Sequence, residues 1–169
     1  FIKSISLIAA QADRISKDNT YSQLQFNNHS ISEGVGLFIT GTLFPFLKIS
    51  NKIQKLGKEI LERESDRLIF QDGAFSQNSF NYHRLMLMDY LYALSIAKLN
   101  NYKFSNRLKI RLKKSYKFLY DVLDHKSGKV PNYGGNDGAL IMPLNSCDYT
   151  DFRPIISSMH YLFSNELIF

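Results

Sequence analysis

Three short segments of this chain hold side chains suited to proton transfer or to gripping an anion. The first is Asn27-Asn28-His29, followed by Ser30, Ser32 and Glu33. Two amides and an imidazole supply N–H donors that can neutralise a carboxylate or a developing oxyanion. The triplet also stands where a polar stretch runs into a helix, and Asn and Ser at such a place cap free backbone N–H groups. Taken by itself, the triplet needs no more than capping. The second segment runs from Gln71 to His83, a polar turn at Asp72-Gly73 that delivers Tyr82 and His83 to the first turn of a helix. A phenol can take and give a proton at one position. Its ordinary pKa of about 10 requires nearby positive charge before it serves as a base. By itself this segment also fits a surface turn with a packed tyrosine ring.

The third segment is Val130-Pro131-Asn132-Tyr133-Gly134-Gly135-Asn136-Asp137-Gly138. Its glycines permit positive φ and close backbone approach. It lacks the Gly-Lys-Ser/Thr ending of a phosphate-binding loop and the acidic ladder of a calcium loop. His29, His83, His125 and His160 never pair at HxH or HxxxH spacing. No metal site and no cofactor is therefore expected in this chain.

The elements that must position these segments are helices, because apolar residues recur every three or four positions almost throughout. Ile2, Ile5, Ile8, Ala9, Ala12 and Ile15 mark a first helix that ends before Asp18-Asn19. Asn19 to His29 reads as polar and irregular. A second helix is expected from Ser32 to Leu43, with Gly34, Gly36 and Gly41 allowing close approach of a neighbour or ligand. Ser50 reads as the N-cap of a third helix, Ser79 of a fourth that reaches about Leu99, and Ser105 of a fifth. Arg153-Pro154 opens a last one. His125 to Thr150 has no helical period, and only Ala139 to Met142 reads as a short extended piece. About six helices in antiparallel pairs predict an all-α fold, an arc of an α/α toroid or solenoid. Long irregular stretches inside such a fold are often functional.

Composition narrows the classes. The chain has 169 residues, 44% hydrophobic and 21% charged, which is enough for one globular domain spanning 1–169. It starts at Phe1 and stops in Ile168-Phe169, which reads as a piece of a longer protein. Val35 to Leu47, the longest apolar stretch, is too short for a membrane span and is broken by Gly36, Gly41 and Pro45. Phe1 to Ala12 lacks the basic leader of a signal peptide. Cys147 is the only cysteine, so no internal disulfide forms. The net charge of +6 concentrates between Lys103 and Lys117. A solvated helix face is the simpler reading of that run, and attraction of a polyanion is the sharper one. No nucleic-acid-binding signature accompanies it.

Taken in order, the segments resemble the helical domain of the heparinase II/III-like polysaccharide lyases. The resemblance lies in Asn27 through Leu37, then Asp72-Gly73 with Ser79 and Tyr82, then Pro131 through Gly138, then Asp151-Phe152-Arg153-Pro154. Tyr82 follows His29 by 53 positions, a separation of the family's kind. The resemblance spans roughly residues 20 to 160. It implies an incomplete (α/α) toroid followed by a C-terminal β-sandwich that completes the site and supplies a further histidine. It implies an acidic polysaccharide as substrate, cleaved at uronic acids by β-elimination, in a bacterial periplasmic or secreted setting. Asn28 and His29 would neutralise the uronate carboxylate, and Tyr82 would transfer protons. Asn27, Glu33, His83, Asn136 and Asp137 would contact substrate or support those that do, with Glu33 orienting His29 or capping the helix. Arg153 would pair with Asp151 or Asp137. No nucleic acid and no membrane span enter this reading.

Two other functions fit a helical toroid. A glycoside hydrolase needs two carboxyl groups flanking the bond, and Glu33, Asp72 and Asp137 are the candidates. A non-catalytic sugar-binding or surface-polysaccharide assembly protein needs neither.

Overall fold

The computed structural model describes residues 2–143 and 146–169; Phe1 and residues 144–145 of the irregular stretch lie outside these. The described residues form seven helices: α1 (Ile2–Lys17), α2 (Thr20–Leu24), α3 (Asn28–Leu43), α4 (Ser50–Leu68), α5 (Phe80–Leu99), α6 (Asn106–Val122) and α7 (Arg153–Ser164). The all-α class holds. Among the described residues the only β-type pairings are two isolated bridges, Ile69–Phe75 and Asp124–Lys129, and Ala139 to Met142 forms no strand.

The helices fall into two kinds. Helices α3 and α5 are buried on nearly every side, from Ile31, Leu37 and Phe38 to Met86, Leu87, Tyr90 and Ala93. Helices α4 and α6 bury one stripe and leave their lysines and arginines outward. A helix that is apolar all round belongs inside, and a one-faced helix belongs outside. Contacts give the directions. Gly34 meets Ile60 while Gly41 meets Gln54, so α3 and α4 run antiparallel. Phe80 and His83 both meet Phe118, and His83 also reaches Ser115, so α5 and α6 run antiparallel. Ser32 bonds Asp89 and Asn28 bonds Gln77, so the inner helices α3 and α5 run parallel, with both N-termini at one end.

Glycines close the α3–α4 seam. A Cβ on Gly57 would stand 2.6 Å from the Gly34 carbonyl oxygen, and one on Gly41 would stand 2.6 Å from Gln54 Cβ. Gly34 faces Ile60 in the same way. Gly36 differs from Gly34 and Gly41, since it lies on the exposed side and packs against no neighbouring helix. Tyr90 adds a buried hydrogen bond from α5 to the Leu61 carbonyl of α4 (2.9 Å). Glu62 of α4 accepts from the Ser105 backbone N–H (2.7 Å) and hydroxyl (2.5 Å), and so fixes the start of α6.

Several boundaries differ from the sequence expectation. The polar stretch before His29 contains the short helix α2, which brings the helix number to seven. The second expected helix starts at Asn28 rather than Ser32, because Asn27 caps it: the Asn27 side chain accepts from His29 N–H. Ser50 is the first helical residue and not the cap. Its hydroxyl serves the preceding turn, donating toward the carbonyls of Phe44 and Leu47. Ser79 and Ser105 cap α5 and α6 as expected, accepting from Tyr82 N–H and Leu108 N–H. Pro154 stands in the first turn of α7.

Candidate functional site

The common end of α3 and α5 gathers most of the candidate residues. On α3, Asn27 Oδ1 accepts from His29 N–H (3.0 Å), and the Asn28 backbone N–H donates to Gln77 Oε1 (2.9 Å). Gln77 lies in the turn leading into α5, so the two helix starts are tied together. Behind them the turn at Phe26 (φ 53°) is held by Arg67, whose guanidinium lies 3.7 Å from the ring centre, and by the Ser76 hydroxyl on the Phe26 carbonyl. The side chain of Asn28 is buried, and its Oδ1 has no hydrogen-bond partner among the described residues. His29 is exposed. Its Nδ1 lies 2.9 Å from Gln25 Oε1, an acceptor, so Nδ1 is the donor of this bond.

On α5, Tyr82 occupies the third helical position, half-buried, with its phenol at the surface. The glycine-rich loop folds back over this helix start. The Tyr133 carbonyl accepts from Phe80 N–H, and the Gly135 carbonyl accepts from the Ser79 hydroxyl (2.5 Å). Gly134 has φ 79°, and a Cβ there would enter Ser79. Both features call for glycine at that position. The loop thereby delivers Asp137 to Tyr82. The Tyr82 hydroxyl donates to Asp137 Oδ2 (2.8 Å), and Asn81 Nδ2 and Ala139 N–H donate to Oδ1 (3.2 and 3.1 Å). The hydrogen bond to Asp137 raises the Tyr82 pKa above its ordinary value, with burial and the carboxylate's charge acting the same way. Asp137 is held below the usual carboxylate range, mainly by the same bond. The immediate partner of Tyr82 is thus an anion, which favours the protonated phenol rather than the phenolate.

A second layer supports this end. Arg84, one turn on from Asn81, is 2% exposed. Its guanidinium lies between the rings of Tyr149 (4.2 Å) and Phe152 (4.4 Å), donates to Asn81 Oδ1 (3.1 Å), and bonds the Tyr149 carbonyl. The Tyr149 hydroxyl sits between Asn81 Oδ1 (2.5 Å) and Asn136 Oδ1 (2.6 Å). Asn81, Arg84 and Tyr149 were not singled out from the sequence. The available signal was Arg84 itself, a cation inside the apolar run of α5.

The structure separates other candidates from this group. His83 is buried, stacked on Phe118, and its Nε2 lies 2.7 Å from the Ser115 hydroxyl; burial pushes its pKa down to about 4. It faces α6 rather than the surface. Glu33 accepts from the Ser22 hydroxyl of α2 (2.5 Å), and no bond joins it to His29. Asp72 accepts from Ala74 N–H in its own turn. Arg153 pairs with Asp151 through two nitrogens (2.7 and 3.0 Å), not with Asp137. Among the described residues, no three His, Cys, Asp or Glu side chains cluster to hold a metal.

A family model described as Heparinase II/III N-terminus matches residues 2–136. The chain belongs to this family. The matched stretch takes in Asn28, His29 and Tyr82. It reaches further toward the start than the segments that carried the resemblance, and ends at Asn136, before Asp137 and the Asp151–Pro154 segment. The heparinase II/III name is that of a polysaccharide lyase family, and its N-terminal part is what this chain supplies. No curated protein and no solved structure matches the chain. None of the described helices is long and apolar enough to cross a membrane.

Proposed function

We propose that this chain forms part of the active site of a lyase that cleaves uronic-acid-containing polysaccharide by β-elimination. What carries the reading is the shared end of α3 and α5, where the buried Asn28 side chain, the exposed His29 imidazole and the Tyr82 phenol stand at neighbouring helix starts. The proton at C5 of a uronate becomes more acidic when donors neutralise the adjacent carboxylate, because charge moves there in the transition state. The Asn28 amide N–H is suited to that contact, with Asn27, Asn136 and Asp137 shaping the surroundings.

The proton inventory favours a division of labour. Tyr82 is held protonated by Asp137, which suits an acid giving its proton to the departing O4. In the neutral imidazole whose Nδ1 donates to Gln25, Nε2 is the free acceptor, which suits a base taking the C5 proton. The C5–H electrons become the C4–C5 double bond as the C4–O4 bond breaks, and no water is added. A C-terminal β-sandwich beyond these residues would close the cleft and supply a further histidine. An exported bacterial protein is the setting that fits a polysaccharide substrate.

The hydrolase reading finds less support. Glu33, Asp72 and Asp137 are each tied to a different local partner, and no contact pairs any two of them. The decisive experiment incubates the full-length protein with uronate polysaccharides and follows ultraviolet absorbance of the unsaturated product. Tyr82→Phe is expected to slow its formation by about 10²–10⁴-fold, the usual loss for a general acid, while thermal unfolding changes little. New reducing ends without absorbance would point to a hydrolase. Binding without any product would point to a sugar-binding or assembly role.

A further inference from the structure

The basic run that the sequence left undecided divides into two populations. Arg107 and Arg111 reach Asp66 of α4, Lys114 donates to the Gln71 carbonyl, and Lys117 pairs with Asp121. These are structural or solvated cations. Lys103, Lys109 and Lys113 form no ion pair among the described residues. Together with Lys98 from the end of α5, they line a groove of about 640 Å³ between α5, α6 and α7. No Asp or Glu is among the residues lining it. The adjacent groove between α4 and α6 differs, since Glu59, Glu62 and Asp66 balance its cations.

Gathering ammonium groups without counter-charge works against the fold. Lys109 and Lys113 stand four residues apart on one helix face, a spacing at which like charges destabilise a helix. The groove also has a partly exposed apolar floor. Tyr102 is 42% exposed, and the Lys113 ammonium lies 5.5 Å from the Phe163 ring centre. Cations over a ring that can receive the C–H face of a sugar suit an acidic glycan. Lys109 and Lys113 are offset by about 6 Å along the axis, comparable to the length of one pyranose residue.

We propose that this groove is a second binding site that grips an acidic stretch of the polysaccharide chain on which the lyase acts; the identity of the anion rests on the function proposed above. Lys98 lies sixteen residues after Tyr82 on α5, about 24 Å along the axis and at the opposite end of the helix. A chain held there cannot be the segment undergoing elimination. It raises the effective concentration of the rest of the same polymer at the Tyr82 end. Long substrates gain from the groove, and short ones do not.

The test uses the full-length protein and fluorescently labelled alginate and heparin, each as long chains and as tetrasaccharides. Lys103→Glu/Lys109→Glu/Lys113→Glu is compared with Lys3→Glu/Lys48→Glu/Lys52→Glu, which changes the charge equally on exposed lysines elsewhere. The groove variant is expected to bind the preferred long chain roughly tenfold or more weakly, since avidity is lost. The control variant should lose less than about twofold, because screening limits distant charges. The ratio of long-chain to tetrasaccharide affinity should fall in the groove variant and not in the control, because a tetrasaccharide cannot span both sites, and thermal unfolding checks that both variants are folded. Equal binding of long chains by parent and groove variant would overturn the proposal, as would equal weakening in both variants. Loss of labelled single-stranded DNA binding with glycan binding intact would reassign the groove to nucleic acid. If the parent yields no unsaturated product but the groove variant still loses long-chain binding, the lyase reading fails and the glycan site stands.

Discussion

Two buried titratable groups on α5 should hide each other in the pH dependence of stability, and a single substitution should uncover both. Asp89 is 3% exposed and accepts from the Ser32 hydroxyl of α3 (2.7 Å). Burial raises its pKa from 3.8 to about 7, against the opposing effect of Ser32. The folded state therefore binds this proton more tightly than the unfolded state. The stabilisation is complete below pH 3.8 and is lost as the pH climbs to about 7. At about 1.36 kcal/mol per pH unit, that gap corresponds to up to about 4 kcal/mol. His83 has the opposite sign. Burial lowers its pKa from 6.5 to about 4, so its contribution is present above pH 6.5 and is lost as the pH falls toward 4, by up to about 3 kcal/mol. Between pH 4 and 6.5 the two slopes cancel in the parent protein. Asp89→Asn keeps the shape and an acceptor for Ser32 but does not titrate. Urea denaturation followed by far-ultraviolet circular dichroism from pH 4 to 8 measures both proteins. The stability of Asp89→Asn minus that of the parent should rise by up to about 4 kcal/mol across this range, while Asp89→Asn itself loses up to about 3 kcal/mol on acidification. Exposed carboxylates such as Asp124 and Asp148 contribute equally to both curves and drop out of the difference. A difference that does not change with pH would refute the reasoning, because it would mean that Asp89 titrates in the fold as it does in water.

Two further outcomes test the packing and the site. Asp137→Asn removes the anion that keeps the Tyr82 proton in place, so the phenol should ionise at lower pH, nearer its ordinary value. Ring resonances of labelled tyrosine report this directly, and the alkaline limb of any cleavage rate should move down with them; an unmoved titration would detach Asp137 from Tyr82. Gly57→Ala drives a methyl group into the Gly34 carbonyl and the Phe38 backbone across the α3–α4 seam. The denaturation midpoint should drop by the equivalent of about 1–3 kcal/mol, as for other overpacked cores, and an unchanged midpoint would show that the helices can part freely.

What could be read from the sequence was local. Capping by Ser79 and Ser105, the first-turn place of Pro154, the turn at Asp72-Gly73 and the apolar stripes each depend on residues within a few positions of one another. A side chain four residues away along a helix is near in any fold, so these features survived into the structure. The same locality brought Tyr82 to a helix start. The short helix α2 was missed because Thr20-Tyr21-Ser22-Gln23-Leu24 is too brief to show a period, and its Ser22 is fixed by Glu33 of another helix.

Long-range partnership was decided by tertiary structure. Spacing in the sequence does not state that residues 130–138 fold back over α5, that Asp137 takes the Tyr82 hydrogen bond 55 residues away, or that Arg84 is enclosed by Tyr149 and Phe152. Nor does it separate His83 from its neighbour Tyr82. On a helix, adjacent residues point about 100° apart, so one turned to the α6 core and the other to the surface. The arginines of the basic run divided from its lysines in the same way, Arg107 and Arg111 being turned to Asp66 of α4 while Lys109 and Lys113 met no carboxylate among the described residues. Periodicity along the chain determined which residues form helices; the packing of one helix against another determined which charges and protons meet, because those energies depend on distance in space and not on distance in sequence.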